Sequence, residues 1–359
     1  MSMQVTHSFC FIRNVAPWLL LASISVAGCD CGGDSDTTPH GSTSSTSSGP
    51  GSGGGGQGGQ GGAGTGGGNG TITSSTVVLN DPSYSSPFDA ALSKDGSVVY
   101  FTAIGPDGPG VFSIPAGGGT VLKLAAGDPF VFPLGVAVST DGKTLYVADL
   151  GAEGSDALGT DGGKIFGVPA EGGAAAEVLS TDNTRPRGLD VADESGADQI
   201  YFTGTDGVGT PGLFKVAAKG GEPTAVATGA PFVDPSGVTV EGDKIYVLDT
   251  VASSQRLASV IEVSNGMASE FLGNLPVGYP AGLALSADGS AILVSGLDAA
   301  KGTTAVLRLD ILSKELQTFP KMGEYDGYHE PAGLHRSKGG DVYAFVDSSA
   351  KGGTVFLLK

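Results

Sequence analysis

One phrase recurs six times along this chain: Pro-x-Gly, an apolar run, an Asp-Gly-type turn, then Tyr-Val-x-Asp. Its fullest copy runs from Pro133 to Asp149, Pro-Leu-Gly-Val-Ala-Val-Ser-Thr-Asp-Gly-Lys-Thr-Leu-Tyr-Val-Ala-Asp. The leading prolines are Pro87, Pro133, Pro186, Pro235, Pro280 and Pro331, so the steps between them are 46, 53, 49, 45 and 51 residues. A period near fifty built from strand-like units confines the chain to a propeller, a solenoid or an array.

Each repeat carries four strand-like runs. In the second they are Gly135–Val138, Thr144–Ala148 after the Asp141-Gly142 turn, Lys164–Val168, and Ala176–Leu179 after Glu171-Gly172-Gly173. The first repeat shows Val111–Ile114 then Thr120–Leu124, and the third Gly212–Val216 then Thr224–Ala227. Four antiparallel strands of this kind make one propeller blade. The sixth repeat supplies Val342–Val346 and Thr354–Leu358 but no fourth run, while Thr76–Leu79 precedes the first repeat and belongs to none. Lending that early strand to the sixth blade closes a ring, a trade an open solenoid does not need. The expected fold is therefore all-β, a six-bladed β-propeller over residues 74–359 closed by an N-terminal strand.

The phrase Pro-x-Gly-[Val/Leu]-x-[Val/Leu], Asp-Gly, [Leu/Ile]-Tyr-Val-x-Asp resembles that of the NHL-repeat and SMP-30/gluconolactonase-like six-bladed propellers, and the Gly-Gly turns before the outer strand resemble the TolB-like type. WD40 and Kelch repeats both want a Trp, and the single Trp here is Trp18, outside the repeats. The resemblance covers residues 76–359. It speaks for fold more than for activity, because such folds host many functions.

The chain before the repeats reads as an export and anchoring region. Pro17–Ala27 is an apolar stretch of 11 residues, shorter than the roughly 20 that a membrane span needs, and it suits a signal peptide over residues 1–28. It ends in Val26-Ala27-Gly28-Cys29, which resembles the bacterial lipobox, with Cys29 as the lipid attachment site. Residues 29–73 then form a lipidated N-terminus and low-complexity linker. Between Gly32 and Gly70 the only aliphatic side chain is Ala63, too little apolar surface to offset chain entropy. A Gly-rich tether of that length reaches about 35 Å. The expected location is the bacterial cell envelope, lipid-anchored to a membrane on its periplasmic or cell-surface side. The repeats contain no Cys, so the domain must stand on its core without disulfides. With 37 acidic against 19 basic residues, the net charge of −18 argues against nucleic-acid binding, which needs clustered Lys and Arg.

The resemblance also implies where enzymatic relatives would place a metal: Asn and Asp at the middle of Pro-x-Gly-like phrases. Here that position holds Phe88, Leu134, Arg187, Ser236, Ala281 and Ala332, none of them a carboxylate or an amide. The first copy departs in another way, with Asp89 where the others carry Gly, a lone oxygen donor where a divalent ion wants several. Three-His zinc is excluded in the repeats, which hold only His329 and His335. No catalytic residue and no metal site is expected on these grounds.

The loops on one face of a propeller join strand two to three and strand four to the next blade. Here they are acidic, with Asp149, Asp249 and Asp347 at equivalent places, and a weak Ca²⁺ on that acidic top face is the one cofactor they offer. Solvated turn-capping Asp is the plainer account. Arg187 is the only charged middle-position residue, suited to a carboxylate or phosphate; an ion pair with Asp182 or Asp190 is its structural alternative. Glu324–Glu330 concentrates Tyr325, Tyr328, His329 and Glu330, a composition favoured at binding surfaces, with a packed aromatic plug as the alternative. His335 and Arg336 fall where other repeats carry residues such as Ala137 and Val138, which marks a distorted sixth blade. The reading is a membrane-anchored exported lipoprotein whose propeller is a non-catalytic module for a protein or small polar ligand. Its rivals are an SMP-30-like metal-assisted hydrolase and a structural envelope lipoprotein.

Overall fold

The structure, a computed structural model, describes residues 72–152, 162–178, 181–253, 255, 257–320, 330–348 and 353–359. Cys29, the signal and most of the linker lie outside the described residues, as do Tyr325, Tyr328 and His329. All regular structure among the described residues is β, arranged as six four-stranded antiparallel sheets.

The first strand, β1 (Ser75–Asn80), is the outer strand of the last sheet. Blade 1 follows as β2 (Ser85–Leu92), β3 (Val98–Gly105), β4 (Gly108–Pro115) and β5 (Leu122–Ala126). Blade 2 is β6 (Pro133–Val138), β7 (Thr144–Asp149), β8 (Lys164–Pro169) and β9 (Ala176–Glu177), and blade 3 is β10 (Leu189–Glu194), β11 (Ala197–Thr205), β12 (Pro211–Ala217) and β13 (Thr224–Thr228). Blade 4 comprises β14 (Pro235–Glu241), β15 (Lys244–Asp249), β16 (Ala258–Ser264) and β17 (Met267–Leu275). Blade 5 comprises β18 (Leu283–Leu285), β19 (Ala291–Asp298), β20 (Thr303–Asp310) and β21 (Leu316–Pro320). Blade 6 is β22 (Pro331–Arg336), β23 (Tyr343–Asp347) and β24 (Thr354–Leu358), with β1 paired to β24 from Ser75↔Leu358 to Asn80↔Thr354. Each first strand contacts the first strand of the next blade, and β22 contacts β2, so the inner strands form a closed ring.

The core is divided among the blade interfaces. Six buried apolar clusters each draw from two adjacent blades: Phe101, Phe112 and Ala344 lie between blades 1 and 6, Leu189 and Ile165 between 3 and 2, Leu248 and Ile292 between 4 and 5. Alternation of apolar side chains on both faces of each sheet is what allows this, since every blade is covered on two sides. In blades 1, 3 and 6 the same cross-strand register position carries an aromatic pair, Phe101–Phe112, Phe202–Phe214 and Phe345–Phe356, with ring centroids 5.7, 5.6 and 5.5 Å apart.

The two anchors of the repeated phrase meet in space. Pro133, Pro235 and Pro331 pair across the sheet with Asp149, Asp249 and Asp347. Proline has no N–H to donate, and the facing carboxylate reaches past it to the loop. Asp149 accepts from the N–H groups of Val131 (2.8 Å), Phe132 (2.9 Å) and Gly151 (3.0 Å). Asp249 does the same with Val233 (2.7 Å) and Asp234 (2.9 Å), and Asp347 with Glu330 (3.0 Å). These carboxylates clamp the loops that enter blades 2, 4 and 6 from the top.

At the other end, the first hairpin of blades 1, 2 and 5 repeats one device. Ser93, Ser139 and Ser286 donate to Asp95, Asp141 and Asp288 at 2.6, 2.7 and 2.7 Å, and each serine oxygen accepts the first N–H of the next strand at 3.0, 2.9 and 2.9 Å. Neighbouring hairpins are also tied together: Thr140 N–H donates to Asp198, Ala287 N–H to Asp341, Lys244 to the Gly289 carbonyl and Ser337 to the Lys94 carbonyl.

Candidate functional site: the central channel and its two mouths

The glycine of Pro-x-Gly sits where inner strands converge. A Cβ on Gly135 would lie 2.0 Å from the Arg187 carbonyl oxygen, on Gly188 2.2 Å from that of Ser236, and on Gly282 2.2 Å from the Leu334 nitrogen. Backbone therefore packs on backbone around the hub, and the channel lined by Leu134, Gly188, Ala281 and Gly333 has room for about one water molecule. Asp89 is the exception in this ring. It is 4% exposed, accepts from the Ala90 N–H (2.9 Å) and from Val136 N–H of the next blade (2.9 Å), and lies 3.0 Å from His335 Nε2. Its carboxylate is thus fully engaged within the fold.

The lower mouth is closed by charge. The last strand-one segment supplies three cations that reach different blades: His335 to Asp89 of blade 1, Lys338 to Asp190 of blade 3 at 3.0 Å, and Arg336 to Glu241 of blade 4 at 2.7 Å. Asp190 also accepts from Val191 and Val240 N–H groups, both at 2.8 Å, and Arg336 donates to the Leu285 carbonyl at 2.7 Å. Burial works against the His335 imidazolium, but Asp89, with Asp190 behind it, outweighs that and raises its pKa above the ordinary histidine value. His335 and Arg336 are not signs of a distorted blade: they pair in register with Ala344 and Tyr343. Where the second repeat carries Ala137 and Val138, these two residues make cross-channel ion pairs.

The upper mouth is built around Arg187. Its Nη1 binds Asp234 of the next blade and approaches the Pro235 carbonyl (3.5 Å), and its guanidinium lies 5.7 Å from the centre of the Tyr279 ring of blade 5. Neither Asp182 nor Asp190 is its partner. The expected local pairing fails because the nearest acid in space is one blade ahead, 47 residues along the chain. Burial opposes the guanidinium charge, and Tyr279 and Asp234 more than compensate, so its pKa is raised. Asp234 also accepts from the Thr250 hydroxyl at 2.9 Å, and Tyr279 N–H donates to Glu330 at 2.7 Å. Phe88 and Phe132 pack edge to face beside this mouth, centroids 4.9 Å apart.

Arg187 and Glu330 are thus brought together through Tyr279. Asp149, Asp249 and Asp347 are not on a rim: all three are 0% exposed, with oxygens turned into the loop clamps. Burial pushes the Asp149 and Asp249 pKa values up, against the pull of their N–H donors. No group of three or more His, Cys, Asp or Glu that could hold a metal ion occurs among the described residues. Sequence reasoning missed Tyr279 and Arg185 at the upper mouth and took Asp234 only as one of the acids of the top-face loops. The only local signal for all three was the position just before a leading proline.

The upper face also carries apolar tips: Val131 (48% exposed) and Val233 (56%) in the loops entering blades 2 and 4, and Val208 (89%) between β11 and β12.

The chain is similar in fold to solved structures of several different proteins. Aldose sugar dehydrogenase from Streptomyces coelicolor, solved in its PQQ-bound form, superposes with TM-score 0.57 at 13% identity, covering 80% of this chain and 98% of that one. A gluconolactonase from Xanthomonas campestris gives TM-score 0.56 at 16% identity, covering 79% and 88%. A chain of the nidogen/laminin complex gives TM-score 0.54 at 17% identity, covering 72% and 87%. At these identities the likeness is one of fold. No family model and no curated protein matches the chain.

Proposed function

We propose that this chain is an exported lipoprotein whose propeller is a non-catalytic binding module, seating a protein or a small polar ligand on the upper face. The observation that carries this reading is the asymmetry of the channel. Its hub is packed backbone to backbone and its lower mouth is crossed by ion pairs, while the upper mouth presents Arg187, Tyr279 and exposed valines. A substrate has no room inside the hub, so recognition falls to the upper rim, where buried aromatic and Arg groups beside exposed apolar tips suit an interface. Anchoring is supported by Val26-Ala27-Gly28-Cys29 and the Gly-rich stretch behind it: two or more acyl chains hold a protein durably where one does not.

Two experiments test this. Cys29→Ser should abolish fatty-acid labelling in cells and release the protein from membranes; labelling that persists removes the anchor. Capture from native envelope extracts should return a reproducible partner or ligand that Val233→Asp reduces at least tenfold and that Asp95→Asn, on the lower face, leaves intact. Equal loss with both variants, or no selective capture, would overturn the upper-face reading.

A further inference from the structure

We infer that the upper mouth is a receptor for a carboxylate borne on an apolar group, gripped by Arg185, Arg187 and Tyr279 beside the Phe88–Phe132 pair. This rests on the reading that the upper face is where ligands bind, and it names their chemistry.

The first observation is an orphan donor. Arg185 Nε is buried without a hydrogen-bond partner. A guanidinium stays protonated in proteins, so this donor cannot be silenced by titration, and a buried donor left unmade carries its full desolvation cost. An acceptor arriving from outside removes that cost. The second observation is how firmly the residue is held. Arg185 adopts φ 46°, a left-handed conformation uncommon for a side chain of its size. Two glycines keep it there: a Cβ on Gly163 would lie 2.9 Å from Arg185 Cα, and one on Gly204 would lie 2.3 Å from the Thr184 carbonyl oxygen. Backbone strain of this kind, held by tight surroundings, fits a residue positioned for a ligand.

The third observation is convergence. Burial raises the Tyr279 pKa and Asp234 adds to that, while Arg187 and, more weakly, Arg185 act against them. The Arg187 guanidinium lies 5.7 Å from the centre of the Tyr279 ring, two blades along, and Arg185 stands two residues before it on the same loop. Asp234 engages Nη1 of Arg187 and fixes its orientation. The class of anion follows from the surroundings. Asp234 and Asp249 both act on Arg187, and the whole chain carries −18. A monoanion meets less repulsion there than a phosphate dianion, and planar carboxylates match the guanidinium fork. The half-buried Phe88 and Phe132 rings offer the apolar body its contact.

The test uses the full chain and three probes followed by ligand-observed NMR: phenylacetate, its neutral isostere phenylacetamide, and inorganic phosphate. Phenylacetate should bind at least tenfold more tightly than either of the others. Arg185→Gln should weaken phenylacetate at least tenfold, and Arg185→Asn is the second variant because Asn tolerates the left-handed region. A melting temperature within a few degrees of wild type certifies each variant. Acetyl-Gly-Phe with a free C-terminus distinguishes the source of the carboxylate: tighter binding than phenylacetate identifies a peptide end, equal binding a small acid. Phenylacetate binding that is absent in wild type, matched by the amide, or unchanged in both folded Arg185 variants overturns the inference. Should phenylacetate fail while Val233-dependent capture persists, the carboxylate site falls and the binding-module reading stands. Should phenylacetate bind while nothing is captured, the reverse holds.

Discussion

At the lower end of the channel, one strand and the turn after it send His335, Arg336 and Lys338 to three other blades, and hairpin after hairpin is bonded to its neighbour. At the upper end, the loops entering blades 2, 4 and 6 are clamped by a buried Asp of their own blade, and the links between loops are fewer, Arg187 to Asp234 and Tyr279 to Glu330. The difference teaches how a repeat protein separates holding from binding. Bonds that run between blades fix the ring, and the Asp149 and Asp249 clamps, which stay within a blade, position the backbone of a single loop. The variation needed for recognition can then accumulate on the upper rim with little effect on closure.

The comparison can be broken most severely at the hub that both ends share. Gly135→Ala places a methyl 2.0 Å from a neighbouring backbone oxygen, and it should cost about 3–5 kcal/mol in denaturant unfolding; a loss below about 1 kcal/mol would show that the ring can breathe. Next in size is the upper clamp. Asp249→Ala leaves the Val233 and Asp234 N–H groups without their acceptor, and about 2–4 kcal/mol should be lost, with faster hydrogen exchange confined to that loop. Exchange that spreads across several blades would mean the clamp is not local.

A smaller effect separates the ends by pH. The His335 pKa is raised in the fold, so its contribution is fully present below the unfolded value of about 6.5 and is lost as pH rises through the higher folded value. The melting temperature should therefore fall between pH 6.5 and 9, and His335→Gln should flatten that slope while Arg187→Gln leaves it unchanged. The groups facing His335 are Asp89, Asp190 and Lys338. Smallest of all, Val131→Ser and Val233→Ser should change stability by less than about 0.5 kcal/mol while weakening capture on the upper face.

The fold was largely legible because its signal is periodic. Pro-x-Gly, the Asp-Gly turn and Tyr-Val-x-Asp each mark a place where backbone geometry has one solution, so each recurs. The described strands follow the expected runs, β9 taking Ala176–Glu177 of the expected Ala176–Leu179, whose last residue lies outside the described residues. The candidate site was much less legible. Asp149 and Asp249 look like surface acids in a loop, and only the cross-strand pairing with Pro133 and Pro235 shows why they are buried. The partners of Arg187 and Asp190 lie 47 residues and more along the chain. Nothing in local composition carries that information, because a side chain leaning across a blade boundary meets residues roughly one period away.

Asp89 gives the ring something that five glycines alone would lack, an index mark. Five nearly equivalent hub positions make any blade a plausible neighbour for any other. Asp89 is accommodated because Gly333 beside it has no side chain, a Cβ there falling 1.8 Å from Asp89 Oδ1, and because His335 is in reach of its carboxylate. A junction of blade 1 with any other blade offers no histidine at that place. The seam where first and last blades meet is thereby distinguishable from every other junction, and a closed circle of near-identical parts acquires a defined beginning.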